Sequence, residues 1–147
     1  YVMASMNEFL RYATGPEFAA NGEDQEAIWD RRFAGLNQEL EDRDYPVRLR
    51  NMWSVAIVTY LQPGRFHWML QYYLRTEGLA LSWIGTGRLI FSHDYTDEDF
   101  KEVSHRFLRA AERMQADGWW QRSPDRDDRS LYRQVLKEML VRRVVGR

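Results

Sequence analysis

Val2, Met3, Met6, Phe9, Leu10 and Ala13 recur at helical spacing, so the chain opens inside an amphipathic helix that Gly15-Pro16 stops. Asn21-Gly22 marks a turn. A second helix over residues 24–43 gathers Trp29, Phe33, Leu36 and Leu40 on one face and ends at Tyr45-Pro46. Residues 47–61 are rich in Val, Ile, Trp, Tyr and Thr. They predict one long strand or two short ones, with Asn51 as an irregularity. After a turn at Pro63-Gly64, Phe66, Met69, Leu70, Tyr73 and Leu74 form one face of a third helix that ends near Gly78.

Two further strands are expected, over residues 79–83 and 88–92, joined by Gly85-Thr86-Gly87 as a hairpin. Thr96 then caps a helix that starts at Asp97. Asp99 completes a capping box, and Tyr95 and Phe100 have the spacing of a hydrophobic staple. Phe100, Val103, Phe107, Ala111 and Met114 form the apolar face of this helix. Gly118 suits the position just past its end. Trp119-Trp120 are expected to dock on apolar surface, residues 121–129 to form a charged loop, and residues 130–144 a last helix carrying Leu131, Val135, Leu136, Met139 and Leu140. The plan is α+β: about five helices and a short, mainly antiparallel sheet covered by helices on one face. Residues 1–120 would form the domain, and residues 121–147 a charged loop and helix packed on it.

The 147 residues fit one domain. With 44% hydrophobic residues and only 9 Gly and 4 Pro, the chain is neither disordered nor low in complexity. Its 21 basic and 22 acidic residues balance, so no overall field attracts nucleic acid. The absence of cysteine excludes disulfides, thiol catalysis and thiolate-bound zinc. No apolar run reaches the roughly 18–20 residues of a membrane span. A secretory signal is not visible at the start. An opening inside a helix with no cap reads as the carboxyl part of a longer chain, or more plainly as a trimmed initiator region.

Candidate chemistry is sparse. His67, His93 and His105 lack the spacing that puts two metal ligands on one helical face. Asp94, Asp97, Glu98 and Asp99 lack the alternation and central glycine of a calcium loop and suit a helix start. Gly85-Thr86-Gly87 leads into a strand, whereas a phosphate loop leads into a helix. The surplus of basic residues in residues 122–147 reads as a solvated helix face. Ser54, Ser82, Ser92, Ser104 and Thr59 sit in no nucleophile elbow. Lys101 and Lys137, the only two lysines, lie in no apolar setting that would lower their pKa. Arg88 stands out because it opens the apolar run Leu89-Ile90-Phe91, where a guanidinium needs an anionic partner or an exposed strand end.

The run Tyr-Tyr-Leu-Arg-Thr-Glu-Gly-Leu-Ala-Leu-Ser-Trp-Ile-Gly-Thr-Gly-Arg-Leu-Ile-Phe-Ser over residues 72–92 is followed by Asp-Tyr-Thr-Asp-Glu-Asp-Phe at 94–100 and Asp-Gly-Trp-Trp at 117–120. Together they resemble the carboxyl-terminal domain of class III pyridoxal-phosphate aminotransferases, in the branch related to glutamate-1-semialdehyde aminomutase. Tyr1-Val2-Met3-Ala4 also resembles the helix that follows the family's Gly-Thr-Phe…His-Pro segment, so the likeness extends to about Trp120. It implies the small domain of a fold-type I enzyme, a cytoplasmic homo-oligomer acting on a small amino or keto substrate, without nucleic acid or membrane. In that family the Schiff-base lysine, the aspartate facing the pyridine nitrogen and a phosphate-contacting threonine all precede the segment matched here. No catalytic or cofactor-binding residue therefore maps onto this chain, which alone should be inactive. Arg88 matches a family arginine that faces a substrate carboxylate. The family sequence continues with Pro-Pro where this chain has Leu89-Ile90-Phe91. The alternative implied is a stand-alone, non-catalytic binding or dimerisation module derived from that domain.

Overall fold

A computed structural model of the chain describes residues 2–81, 87–120 and 128–145. The elements are α1 (Val2–Ala13), α2 (Pro16–Asp42), β1 (Val47–Met52), β2 (Val55–Tyr60), a 3-10 turn (His67–Met69), α3 (Leu70–Thr76), β3 (Arg88–Ile90), α4 (Asp97–Ala116) and α5 (Asp128–Val145). The three strands form one antiparallel sheet in the order β1-β2-β3. Helix α2 lies against β1 and α4, and α4 lies against α3, so the helices cover one side of the sheet. The α+β class with a small antiparallel sheet is as expected.

Strand alternation explains why one sheet face is buried. Val47 and Leu49 of β1, Ala56 of β2 and Leu89 of β3 point to the helices and are buried. The expected stripe of α2 meets them: Trp29, Phe33, Leu36 and Leu40 are all at most 2% exposed. Trp29 stacks on Phe91, just after β3, at 5.4 Å, and Phe33 meets Phe100 of α4 edge-on at 5.1 Å. Arg32 lies over the Trp29 ring at 4.7 Å and is itself nearly buried. It donates from Nε to Asp97 Oδ1 and from Nη2 to the Tyr95 carbonyl, both at 2.9 Å. This single side chain ties α2 to the start of α4.

Three helices end in the same way. After α4, Gly118 N–H donates to Gln115 O and Trp119 N–H to Met114 O. After α3, Gly78 N–H donates to Arg75 O and Leu79 N–H to Leu74 O. After α2, Asp44 N–H donates to Glu41 O and Tyr45 N–H to Leu40 O. Each is a Schellman motif whose turning residue has positive φ: 75° at Gly118, 84° at Gly78 and 56° at Asp44. The capping box of α4 forms as read: Asp99 N–H donates to Thr96 Oγ1, and Thr96 N–H donates to the Asp99 carboxylate. Tyr95 completes the staple indirectly, edge-on to Phe91, which in turn packs on Phe100.

Several expectations are corrected. Asn21-Gly22 is not a turn; it lies inside α2, which starts at Pro16. Pro16 sits in the first turn with its φ already set for helix, and extending an existing helix costs little beyond a glycine penalty of about 1 kcal/mol. Asn51 is no irregularity, since it pairs regularly with Ala56. The break between the two short strands falls instead at Trp53-Ser54. Of the strand expected over residues 79–83, residues 79–81 form none and 82–83 lie outside the described residues; β3 pairs with β2. The hairpin loop at Gly85-Thr86 and most of the 121–129 loop lie outside the described residues. Helix α5 starts at Asp128, two residues early, with Leu136, Met139 and Leu140 exposed and Glu138 paired to Arg65.

Replacing Arg32 with methionine keeps much of its apolar stem but leaves the Tyr95 carbonyl without its donor. Because Asp97 is largely exposed and its charge screened, the expected loss is about 1–3 kcal/mol in chemical denaturation. A loss under about 0.5 kcal/mol would show that the clamp is decorative.

Candidate functional site

The sheet face turned away from the helices carries Arg50, Met52, Ile57, Arg88 and Ile90, all exposed. Its backbone is regular, so cross-strand partners on this face are set by register. Arg50 pairs with Ile57, and Ile57 pairs with Arg88. The two arginines therefore flank Ile57 in one row, their Cα atoms about 10 Å apart at two strand spacings. Met52 is paired with Val55, and Val55 with Ile90, in the next row. Met52 is 75% exposed and Ile90 68%, an apolar strip beside the two guanidiniums.

Arg88 thus takes the exposed strand position that the sequence allowed for. Among the described residues neither Arg88 nor Arg50 has a carboxylate partner, in contrast to Arg32, Arg48, Arg65, Arg106, Arg109 and Arg113, which all do. Free guanidiniums on a flat, partly apolar face suit a carboxylate or phosphate with a hydrophobic body. Arg50 was missed in the sequence because its strand also holds Arg48, whose guanidinium instead donates to the Tyr45 and Val47 carbonyls. The two share a sheet face, and only their partners distinguish them: Arg48 is taken up by these carbonyls and by Glu41.

The other candidates are dispersed. Lys101 is exposed on α4, and Lys137 is exposed on α5. Asp97 is engaged by Arg32, and Asp99 by the helix cap, whose hydrogen bonds hold its carboxyl below the usual range. Ser54 is buried in the β1–β2 turn, and Ser104 donates to Phe100 O. Among the described residues no three His, Asp or Glu side chains gather as a metal site. His105 is exposed on α4, and His93 lies in the turn before it. No helix is long and apolar enough among the described residues to cross a membrane.

His67 is the buried exception, only 5% exposed. It stacks on Tyr60 at 4.5 Å and meets Trp120 at 5.7 Å, while its Nε2 has no hydrogen-bond partner. A Cβ on Gly64 would collide with this imidazole, so the glycine is required by the close approach. Tyr60 donates its hydroxyl to the His67 carbonyl, and burial pushes that phenol up to about 12. Burial also lowers the His67 pKa from its ordinary 6.5.

The folded state therefore favours neutral His67, and the unfolded chain takes up the proton first. Its stabilising contribution is full above about pH 6.5 and is lost as pH falls toward the lower folded-state value. Carboxylates held low by their partners, such as Glu77 by Arg109 and Arg113, act in a more acidic window. His67→Gln should flatten the change in melting temperature between about pH 7 and pH 5.5. An unchanged slope would show that His67 does not titrate across this range.

Comparison of this chain with protein-family models, with curated proteins and with solved structures gives no match.

Proposed function

We propose that this chain is the carboxyl-terminal part of a class III pyridoxal-phosphate aminotransferase or aminomutase, which moves an amino group to or within a small carbonyl substrate. The observation that carries the reading is the open sheet face, where Arg88, without a carboxylate partner among the described residues, lies in one row with Ile57 and Arg50 beside an apolar strip. A flat face supplies a floor and carboxylate contacts, but the remaining walls of a substrate cleft must come from elsewhere. In this reading the chain is the small domain of a fold-type I homo-oligomer in the cytoplasm.

The residues present do not fit the cofactor. A Schiff-base lysine needs an apolar, enclosed setting that depresses its pKa. Lys101 and Lys137 are both exposed. The cofactor chemistry is therefore assigned to residues outside this chain, and the chain's own part is to bind and orient substrate. A stand-alone binding or dimerisation module is the competing reading.

The intact mass of the native gene product decides between them. The aminotransferase reading expects a mass more than twice the 17.7 kDa of this chain and, after borohydride reduction, a pyridoxyl-lysine peptide upstream of Tyr1. A native mass near 17.7 kDa would overturn it in favour of the module.

In the native enzyme, Arg88→Gln should raise KM for a carboxylate substrate about 10–100-fold, the value of one charge-assisted hydrogen bond, with little change in melting temperature. An unchanged KM would remove Arg88 from the substrate site.

A further inference from the structure

A second site lies on a different part of the molecule. Phe9 and Tyr12 of α1, Phe18 and Gln25 of α2, Trp53 of the β1–β2 turn, and His93-Asp94 before α4 enclose a cavity of about 280 Å³. Its rings meet edge-on. Tyr12 and Phe18 are 5.7 Å apart at 72°, Phe18 and His93 are 6.5 Å apart at 90°, and Trp53 and His93 are 6.4 Å apart at 77°. Rings at right angles wall a box, whereas stacked rings would fill it.

Two of the lining residues carry acceptors. The Gln25 Oε1 atom is buried and has no hydrogen-bond partner, a state that normally costs about 1–3 kcal/mol. The Asp94 carboxylate lies at the rim, where one oxygen accepts from Ser92 Oγ. Trp53 adds an independent sign. It holds a left-handed φ of 54°, which is strained for a large side chain, and its indole lines the cavity. The chemistry is therefore one-sided: π-faces, an amide oxygen and a carboxylate, with no lysine or arginine among the described lining residues.

We propose that this pocket binds the alkylammonium group of a small organic cation. Aromatic faces attract such a group through their quadrupole, most strongly where it is desolvated. Asp94 supplies the counter-charge. A primary ammonium would also donate to Gln25 Oε1, whereas a quaternary one would be held by the rings and the carboxylate alone. The proposal is independent of the aminotransferase reading, since it uses neither Arg88 nor the open sheet face.

The test is an NMR titration of the full chain at about pH 8, above the ordinary imidazole range, following the Trp53 indole and the His93 ring protons. The probes are choline, n-butylammonium and 3,3-dimethylbutan-1-ol, the last being a neutral isostere of choline. Saturable shifts are expected with at least one cation, with the alcohol at least about tenfold weaker, a difference of about 1.4 kcal/mol. Tighter binding of butylammonium would assign the Gln25 oxygen a donor, and tighter binding of choline would assign the site to methylated amines. Asp94→Asn and Phe9→Leu, both at exposed positions that leave the core intact, should each weaken binding about fivefold or more. Equal binding of the alcohol, no saturable shift with either cation, or binding indifferent to both substitutions would overturn the proposal.

Discussion

The packing of Trp29 and Phe33 against Phe91 and Phe100 is the constraint on which the other elements depend. These four rings come from α2, from the segment after β3 and from the first turn of α4, so their contact sets the positions of all three. Arg32 closes the cluster from above. Its guanidinium lies over Trp29, and its donors reach Asp97 and the Tyr95 carbonyl. A cation in this place is tolerable because every side of it is served: a π-face below, a carboxylate and a carbonyl at its edge. The first turn of α4 is thereby anchored both by its own capping box and by a side chain from a distant helix.

The other end of the sheet is closed by a second aromatic group. Trp120 donates its indole N–H to Ala111 O and packs against His67 and Tyr60. It reaches that position because Gly118 turns the chain back at the end of α4. Glu77 works at the end of α3, where its carboxylate takes Arg109 and Arg113 and its carbonyl takes Arg106. Helices α3 and α4 are thus locked by one residue with three cationic partners. All of this burial is on one side of the sheet, which leaves Arg50, Met52, Ile57, Arg88 and Ile90 of the opposite face exposed.

The candidate site was half legible in the sequence. Arg88 stood out because a charge interrupts an apolar strand. Arg50 did not, since it shares a strand and a face with Arg48, and only the tertiary structure shows that Arg48 is occupied by carbonyls and Glu41. The row Arg50, Ile57, Arg88 is a product of pairing between three strands, and no local spacing encodes it. The aromatic pocket was less visible still. Its rings come from α1, α2, a hairpin turn and the loop before α4, and each one alone looks like an ordinary apolar position.

What the sequence determined by itself was local. The stripe, cap and terminal glycine of α4 are all set within a turn or two of the chain, and the structure reproduces them. The apolar face of α2 was equally readable, and so was strand over residues 47–61, though not where it breaks, because periods of 3.6 and 2 are properties of the backbone. Tertiary structure decided what depends on neighbours distant in sequence. It carried α2 through Asn21-Gly22, left residues 79–81 outside the sheet and gave β2 its second partner in β3. It also placed Arg50 and Arg88 on either side of Ile57, without a carboxylate partner among the described residues. The physical reason is that turn propensities and single-strand preferences are worth about 1 kcal/mol. Burial of one aromatic side chain is worth more, about 1.5–3 kcal/mol, and the distant contacts that achieve it override the local preference wherever the two disagree.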